Sequence, residues 1–373
     1  MKSKKIMVTK PFLPKRREYE KYVKKIWKNN WLTNNGPVVK EFETKLKNYL
    51  KIENICLTVN GHSALDIAIK ALDLKGEVIT TPFTFASSIH SLTLNNIKPV
   101  FCDIRPTDLN IDETKIEELI TDKTTGILPV NVYGHCCNMK EIERIAKKHN
   151  LKVLYDGAHT FGVKENGKST AVYGDAYIFS FHATKLFNTI EGGCVVFKDK
   201  QVGARLSAYR NFGITGEEDV PYVGGNAKMN EFQAAMGICI LKDMDKIIED
   251  RKRITFYYRE RLNELKGISY FVPENTSEYE YNYAYLPVII EEKQFGVNRD
   301  ELYEKLHNYG IYTRKYFHPL IPDFECYKDQ YKNLKIPVAR EMAKKVLCLP
   351  IYYGLKNKEI DYIIESIKKI GGN

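Results

Sequence analysis

The sequence predicts an α/β protein built on a mostly parallel, seven-stranded sheet flanked by helices, with a smaller α+β domain at the C-terminal end. Three observations predict it. Seven short apolar runs follow one another between residues 55 and 197: ICLTV, EVITT, KPVFCDI, GILPVNVY, LKVLYD, DAYIFSF and CVVF. Helical stretches such as SALDIAIKALDL and MKEIERIAKKHN separate the first five, which is the alternation that gives parallel strands with helices on the sheet faces. The chain, at 373 residues, is too long for one compact core. We expect a large α/β domain over residues 1–250 and a small C-terminal domain over 251–373. In such sheets ligands collect at the carboxyl ends of the strands.

In chain order, residues 15–50 read as two helices around a loop. Tyr19, Tyr22, Val23, Ile26 and Trp27 recur at helical spacing, as do Phe42, Leu46 and Tyr49. The loop between them, WLTNNGP, carries Asn, Gly and Pro, which break a helix. After the seven strands, residues 203–245 read as a helix, a glycine-rich loop (VPYVGGNAKMN) and a long helix, EFQAAMGICILKDMDKIIEDRKR, expected to run past residue 250. Beyond it, YNYAYLPVII predicts a strand, RDELYEKLHNYG a helix ending at Gly310, IYTRKYFHPL an extended segment and EIDYIIESIKKI a last amphipathic helix. No internal repeat or low-complexity tract is present.

Composition narrows the class. Hydrophobic residues make up 43% and charged residues 28%, as in ordinary globular proteins. No apolar run approaches the roughly 20 residues needed to span a bilayer, and the basic start MKSKKIMVTKPFLP lacks the apolar stretch of a secretion signal. The expectation is a cytoplasmic protein with no membrane partner. Eight cysteines form no CxxC pair and no zinc-ligand spacing with histidine, which fits reduced thiols and no metal. The net charge of +10 suits an anionic partner. Its basic residues are scattered, without an arginine-rich block or aromatic platform, so a phosphorylated small molecule is favoured over nucleic acid.

The chemistry concentrates between Leu151 and Gly193. Asp156 ends the run LKVLYD, and Lys185 follows the run DAYIFSF, 29 residues on. An acid at the end of one buried strand and a lysine just beyond another is the pair a pyridoxal phosphate enzyme needs. The lysine amine forms a Schiff base with the cofactor aldehyde, and the carboxylate keeps a proton on the pyridine nitrogen. A lone lysine is more often a solvated surface residue, and Asp-Gly is also an ordinary turn signal. Against the surface reading, Lys185 directly follows an apolar strand, precedes Gly192 and Gly193, and has Ser180 five residues before it. His159 either sits at the cofactor ring or is a buried, hydrogen-bonded histidine. Gly61, between a strand and a helix, opens an anion cradle of backbone N–H groups with His62, Ser63 and Ala64. Phe85, in TTPFTFASS, is either a core aromatic or a ring that stacks on a flat cofactor.

Taken in order, NGHSAL, TTPFTFAS, YDGAHTFG, SFHATK, EGG and GGNAKMNEFQAAMG resemble the pyridoxal phosphate-dependent sugar aminotransferases of the DegT/DnrJ/StrS type. WLTNNGP and SFHATKLFNTIEGG are most similar to the members that make a dTDP-4-amino-4,6-dideoxy sugar. The resemblance implies aminotransferase fold type I and a homodimer with active sites shared between subunits. It makes Lys185 the cofactor-bound lysine and proton carrier, and Asp156 the pyridine partner. It places His159 by the ring oxygen, Phe85 on the ring, and Gly61, His62, Ser63 and Ser180 at the phosphate. Asn226 and Lys228 would reach the neighbouring subunit's site. Thr33, Asn34, Arg314, Tyr316 and His318 would face the nucleotide sugar. The chain departs from the family at His62, where a threonine is usual.

The resemblance implies transamination of a nucleotide-linked 4-keto-6-deoxy sugar with glutamate as donor, by way of pyridoxamine phosphate. Relatives that dehydrate their sugar carry histidine at the position held here by Lys185. Two other readings stand beside it: amination at carbon 3, because the cofactor motifs are shared, and a non-catalytic regulator on the same fold. The intact Lys185 and Asp156 speak against the second.

Overall fold

The computed structural model describes residues 5–271 and 276–372, so the first four residues of the basic N-terminal segment lie outside them. The chain opens with α1 (Arg16–Asn29) and α2 (Pro37–Leu50), separated by the predicted loop. Helix α2 starts on Pro37, whose fixed φ suits a first helical position. Then come β1 (Ile55–Thr58), α3 (Gly61–Ala71), β2 (Glu77–Thr80), α4 (Ala86–Leu94), β3 (Lys98–Phe101), β4 (Thr124–Leu128), α5 (Met139–Lys148) and β5 (Lys152–Asp156). A small hairpin, β6 (Lys164–Glu165) and β7 (Lys168–Ser169), precedes β8 (Ala176–Ser180) and β9 (Gly193–Phe197).

All seven expected strands join one sheet, in the order β1-β9-β8-β5-β4-β2-β3. The pairs from β8 to β3 are parallel, whereas β9 runs antiparallel to both β8 and β1. The exception has a simple cause. No helix crosses between β8 and β9, so the chain turns back on itself, and only an antiparallel neighbour can be joined that way. That returning loop, residues 181–192, carries Lys185. The sheet is buried on both faces: Ile79, Ile127 and Phe179 pack in one layer with α2 and α5, and Val78, Leu128 and Ile178 pack in the other with α3.

Past the sheet lie α6 (Lys200–Arg210), α7 (Glu231–Leu241) and α8 (Met244–Leu262). The long helix expected here breaks at Lys242–Asp243 and then does continue past residue 250. Glu231, buried at the start of α7, accepts from the N–H groups of Val38 (2.8 Å) and Val39 (2.9 Å), capping α2 from outside its own sequence.

The C-terminal part holds β10 (Ile268–Tyr270), β11 (Tyr279–Glu280), β12 (Pro287–Ile290), α9 (Glu292–Phe295), α10 (Arg299–Asn308), α11 (Pro337–Lys345), β13 (Val346–Cys348) and α12 (Asn357–Gly371). Strands β10, β12 and β13 form an antiparallel sheet, over which Ile254, Leu306 and Ile363 from α8, α10 and α12 pack. Strand β11 instead joins the β6–β7 hairpin. The run YNYAYLPVII is a strand only from Pro287. Residues 281–286 are irregular because Tyr283 takes a left-handed φ of 52° and the carbonyls of Tyr283 and Ala284 bond the Arg251 side chain. The N-terminal segment also belongs here: Ile6 exchanges backbone hydrogen bonds with Gly310 and Tyr312, and Val8 accepts from Ile351. Among the described residues no helix is long and apolar enough to cross a membrane.

Candidate active site

The carboxyl ends of β5 and β8, the start of α3 and the 181–192 loop meet around a cavity of about 400 Å³. Asp156 is the last residue of β5 and is buried. Its carboxylate accepts from the Ser88 hydroxyl at 2.7 Å and from the Ala158 N–H at 3.0 Å. Burial pushes its pKa above the ordinary carboxylate range, while Ser88, the Ala158 N–H and the charge of Lys185 pull it back. Burial acts on Lys185 in the opposite sense, lowering its pKa against the pull of Asp156 and Tyr316. The lysine Nζ lies 3.3 Å from the Tyr285 hydroxyl. An acid and a base are thus each moved toward neutrality by the same desolvation.

His159, on the turn after β5, is buried. Its Nδ1 accepts the Tyr133 N–H at 3.0 Å, which puts the imidazole proton on Nε2. Burial holds its pKa well below the usual histidine value, with Lys185 adding to the effect. His159 is therefore both of the things the sequence allowed, a hydrogen-bonded buried histidine and a wall of the cavity.

The other end of the cavity is an anion cradle. Asn60 caps α3 by accepting the Ser63 N–H at 2.8 Å, leaving the first N–H groups of the helix facing outward. Ser180 closes β8 directly opposite. A Cβ on Gly61 would fall 2.7 Å from the Ser180 Cβ, so only glycine lets the strand end and the helix start approach this closely. Gly193 does the same for the start of β9, where a Cβ would meet the Asn60 carbonyl at 2.8 Å. His62 joins the cradle with its Nδ1 2.9 Å from the Ser87 hydroxyl.

Of the residues singled out from sequence, Gly61, His62, Phe85, Asp156, His159, Ser180, Lys185 and Tyr316 line this cavity. Phe85 is 62% exposed, so it is a wall rather than a core aromatic. Ser63 does not line it, because its N–H is committed to the Asn60 cap. Arg314 and His318 line a second cavity of about 420 Å³, which abuts the first through shared Thr84, Phe85, Tyr316 and Phe317. A third group stands apart. Asn34 and Lys228 line a cleft of about 610 Å³ with Arg210 and Asn211, Asn226 bridges to Asn211, and exposed Thr33 adjoins Asn34.

Sequence reasoning missed Ser88, Tyr133 and Tyr285, the partners that hold Asp156, His159 and Lys185. Ser88 was within reach of it, lying in the same strand-end segment as Phe85. Tyr285 was not, because a separation of 100 residues along the chain carries no spacing signal.

The donor set suits pyridoxal phosphate. A buried carboxylate can face a protonated ring nitrogen, a glycine-opened helix start with flanking hydroxyls can take the phosphate, and a half-buried lysine lies in the same cavity.

Comparison with known proteins agrees. The model of the DegT/DnrJ/EryC1/StrS aminotransferase family matches residues 15–368. The chain is 43% identical to a dTDP-4-amino-4,6-dideoxy-D-glucose transaminase of Shigella dysenteriae over 98% of this chain and 99% of the relative. It is 42% identical to the Escherichia coli protein of that name, over 96% and 97%. Among solved structures, DesI, crystallised in the presence of its TDP-sugar product, superposes with a TM-score of 0.93 at 32% identity, covering 98% of this chain and 93% of that one. The chain belongs to the DegT/DnrJ/EryC1/StrS aminotransferase family, and pyridoxal phosphate is its cofactor.

Proposed function

We propose that this aminotransferase converts dTDP-4-keto-6-deoxyglucose, with glutamate as amino donor, into the 4-amino-4,6-dideoxy sugar nucleotide for surface polysaccharide or glycan synthesis. The observation that carries the proposal is the shared wall between two cavities. One holds Lys185 and Asp156, and the other presents Arg314, His318 and aromatic rings, a lining suited to a nucleotide diphosphate. The names of the two transaminase relatives support the sugar and the position of amination.

Bound pyridoxal phosphate supplies an electron sink for charge developing on the carbon that loses or gains a proton. The chain does the rest. Asp156 would keep the ring nitrogen protonated, because its two donors hold the carboxylate ionised against burial, and a desolvated carboxylate strongly attracts a cation beside it. Gly61, His62 and Ser180 would hold the phosphate, with Ser63 only completing the Asn60 cap beneath them. Phe85 would lie against the ring, and His159, its Nδ1 taken by the Tyr133 N–H, would have its Nε2–H free to donate to it. The Lys185 amine, made less basic by burial, takes the α-proton of glutamate and later delivers one to carbon 4 of the sugar.

We also propose a homodimer in which Thr33, Asn34, Asn226 and Lys228 complete the partner's site. Trp31, Leu32, Phe212 and Ile214 are exposed around this cleft and Val223 is 93% exposed, an apolar rim that a second copy would cover. The test is direct. Purified protein is incubated with glutamate and each keto isomer of the sugar nucleotide, and the product is read by mass and NMR. We expect a carbon-4 amine. A carbon-3 amine, or no amine from any isomer, overturns the reading.

A further inference from the structure

Tyr285 has no place in the motifs that mark this site, yet it is the side chain that touches the Lys185 amine. Its hydroxyl lies 3.3 Å from Nζ, and Nζ stands 5.9 Å from the ring centroid. The ring is fixed on three sides. It packs at 4.5 Å between centroids on His159, at 5.8 Å on Tyr133, and edge-on at 5.9 Å to Tyr316. The backbone leading to it is clamped as well. Arg251, buried on α8, donates from Nε to the Tyr283 carbonyl at 3.0 Å and from Nη2 to the Ala284 carbonyl at 2.5 Å. Asn282, also buried, donates to the carbonyls of His159 at 2.8 Å and Phe161 at 2.9 Å, and its Oδ1 accepts the Ala284 N–H at 3.1 Å. A buried guanidinium and a buried amide thus clamp residues 282–284, directly before Tyr285, and tie them to the turn that carries His159. A phenol held this tightly is a fixed point, whereas a lysine has four rotatable bonds and is among the costliest side chains to immobilise.

We infer that Tyr285 is a positioning residue for Lys185: whenever the amine is free of the cofactor, the phenol oxygen accepts one of its N–H groups and holds the nitrogen in place, its lone pair left for the substrate carbon. This rests on the proposed role of Lys185 as proton carrier. Burial raises the phenol far out of the physiological range, so it stays neutral and is not itself the base. Several other groups face the amine or line the cavity around it. Asp156 and His159 come from β5 and its turn, Tyr316 from the segment after α10, and His182 and Glu191 from the lysine's own loop. Arg251 and Cys348 act on Tyr285 from behind. Because an ammonium donates more strongly than a neutral amine, the phenol favours the protonated form of Lys185, and its removal lowers the lysine pKa further.

Tyr285→Phe in the holoenzyme removes the acceptor and keeps the ring. We expect unchanged cofactor absorbance and melting temperature, a KM for the nucleotide sugar within about twofold, and a kcat reduced about tenfold through lost positioning. The acidic limb of the kcat profile moves to lower pH. A readout independent of turnover is labelling of Lys185 by an amine reagent in the pyridoxamine phosphate-loaded enzyme, followed by peptide mass spectrometry. In the variant, labelling begins at lower pH than in the wild type. Wild-type kcat, pH limb and labelling in the variant overturn the inference, as does a variant that fails to fold, which would assign Tyr285 to packing alone. A wild type that takes up no cofactor on Lys185 overturns the proposed function, and this inference with it.

Discussion

Two clefts of this chain carry lysines to opposite ends. In the cavity at the carboxyl edge of the sheet, Lys185 shares a buried space with Asp156, and burial drives the two toward neutrality from opposite sides. In the cleft between the N-terminal loop and the segment around residue 210, Lys228 donates to Asn211 at 2.8 Å and stands 4.5 Å over the Phe212 ring, with Arg210 beside it. Among the described residues no carboxylate lines that cleft. The first cavity has a base and an acid to shift protons. The second has cations and amides, the equipment to hold an anion without changing it. A lysine becomes a base through burial opposite an acid, and a binding group through neighbours of its own sign.

The sharpest way to break this contrast is at Lys185. Lys185→Ala is expected to lower turnover by at least roughly 10³-fold in a steady-state transamination assay and to remove the lysine-bound cofactor absorbance. Wild-type turnover would take the proton-carrying role away from this cavity.

Asp156→Asn is expected to keep the fold and lose about 10²-fold in turnover, since an amide cannot sustain the ring proton. The same substitution carries a pH signature. A carboxyl whose folded pKa is raised contributes stability below its unfolded value and loses it as pH rises through the folded value. In cofactor-free protein at neutral pH the variant should therefore melt about 2 °C above the wild type, and the gap should close as pH falls below the ordinary carboxylate range. Thermal melts across pH measure it, and a variant that melts lower at neutral pH removes the desolvation cost assigned to Asp156.

The smallest effect belongs to the second cleft. Lys228→Ala is expected to weaken cofactor affinity about tenfold, the loss of one charge-assisted contact to phosphate. If the cleft serves a partner's site, the mixed dimer of Lys185→Ala and Lys228→Ala subunits binds cofactor at its one Lys185-bearing site with wild-type affinity, because that site holds both lysines. Mixed dimers whose cofactor affinity stays at the weakened Lys228→Ala value would separate the cleft from the partner's catalytic cavity.

Much of this was legible in advance, for a physical reason. Buried strands need apolar runs, so Asp156 and Ser180, the polar residues on which two such runs end, could be placed at the sheet's carboxyl edge from sequence. Gly61 and Gly193 were visible as glycines at junctions, although the clash that requires them appears only with Ser180 and Asn60 in place. The irregular run 281–286 was illegible: residues 281–285 carry tyrosine at every second position, as a strand would, and only the Arg251 side chain decides where the carbonyls of Tyr283 and Ala284 bond.

By itself the sequence determined the seven-stranded sheet and the acid–lysine pair, together with the likeness to an aminotransferase family. These depend on periodicity and on short words whose chemistry is local. The tertiary structure alone decided that β9 runs backwards, that Ser88, Tyr133 and Tyr285 serve Asp156, His159 and Lys185, and that Lys228 lies in a cleft apart from Lys185. Hydrogen bonds and desolvation act through space, and residues 100 positions apart become partners only once the chain has folded around them.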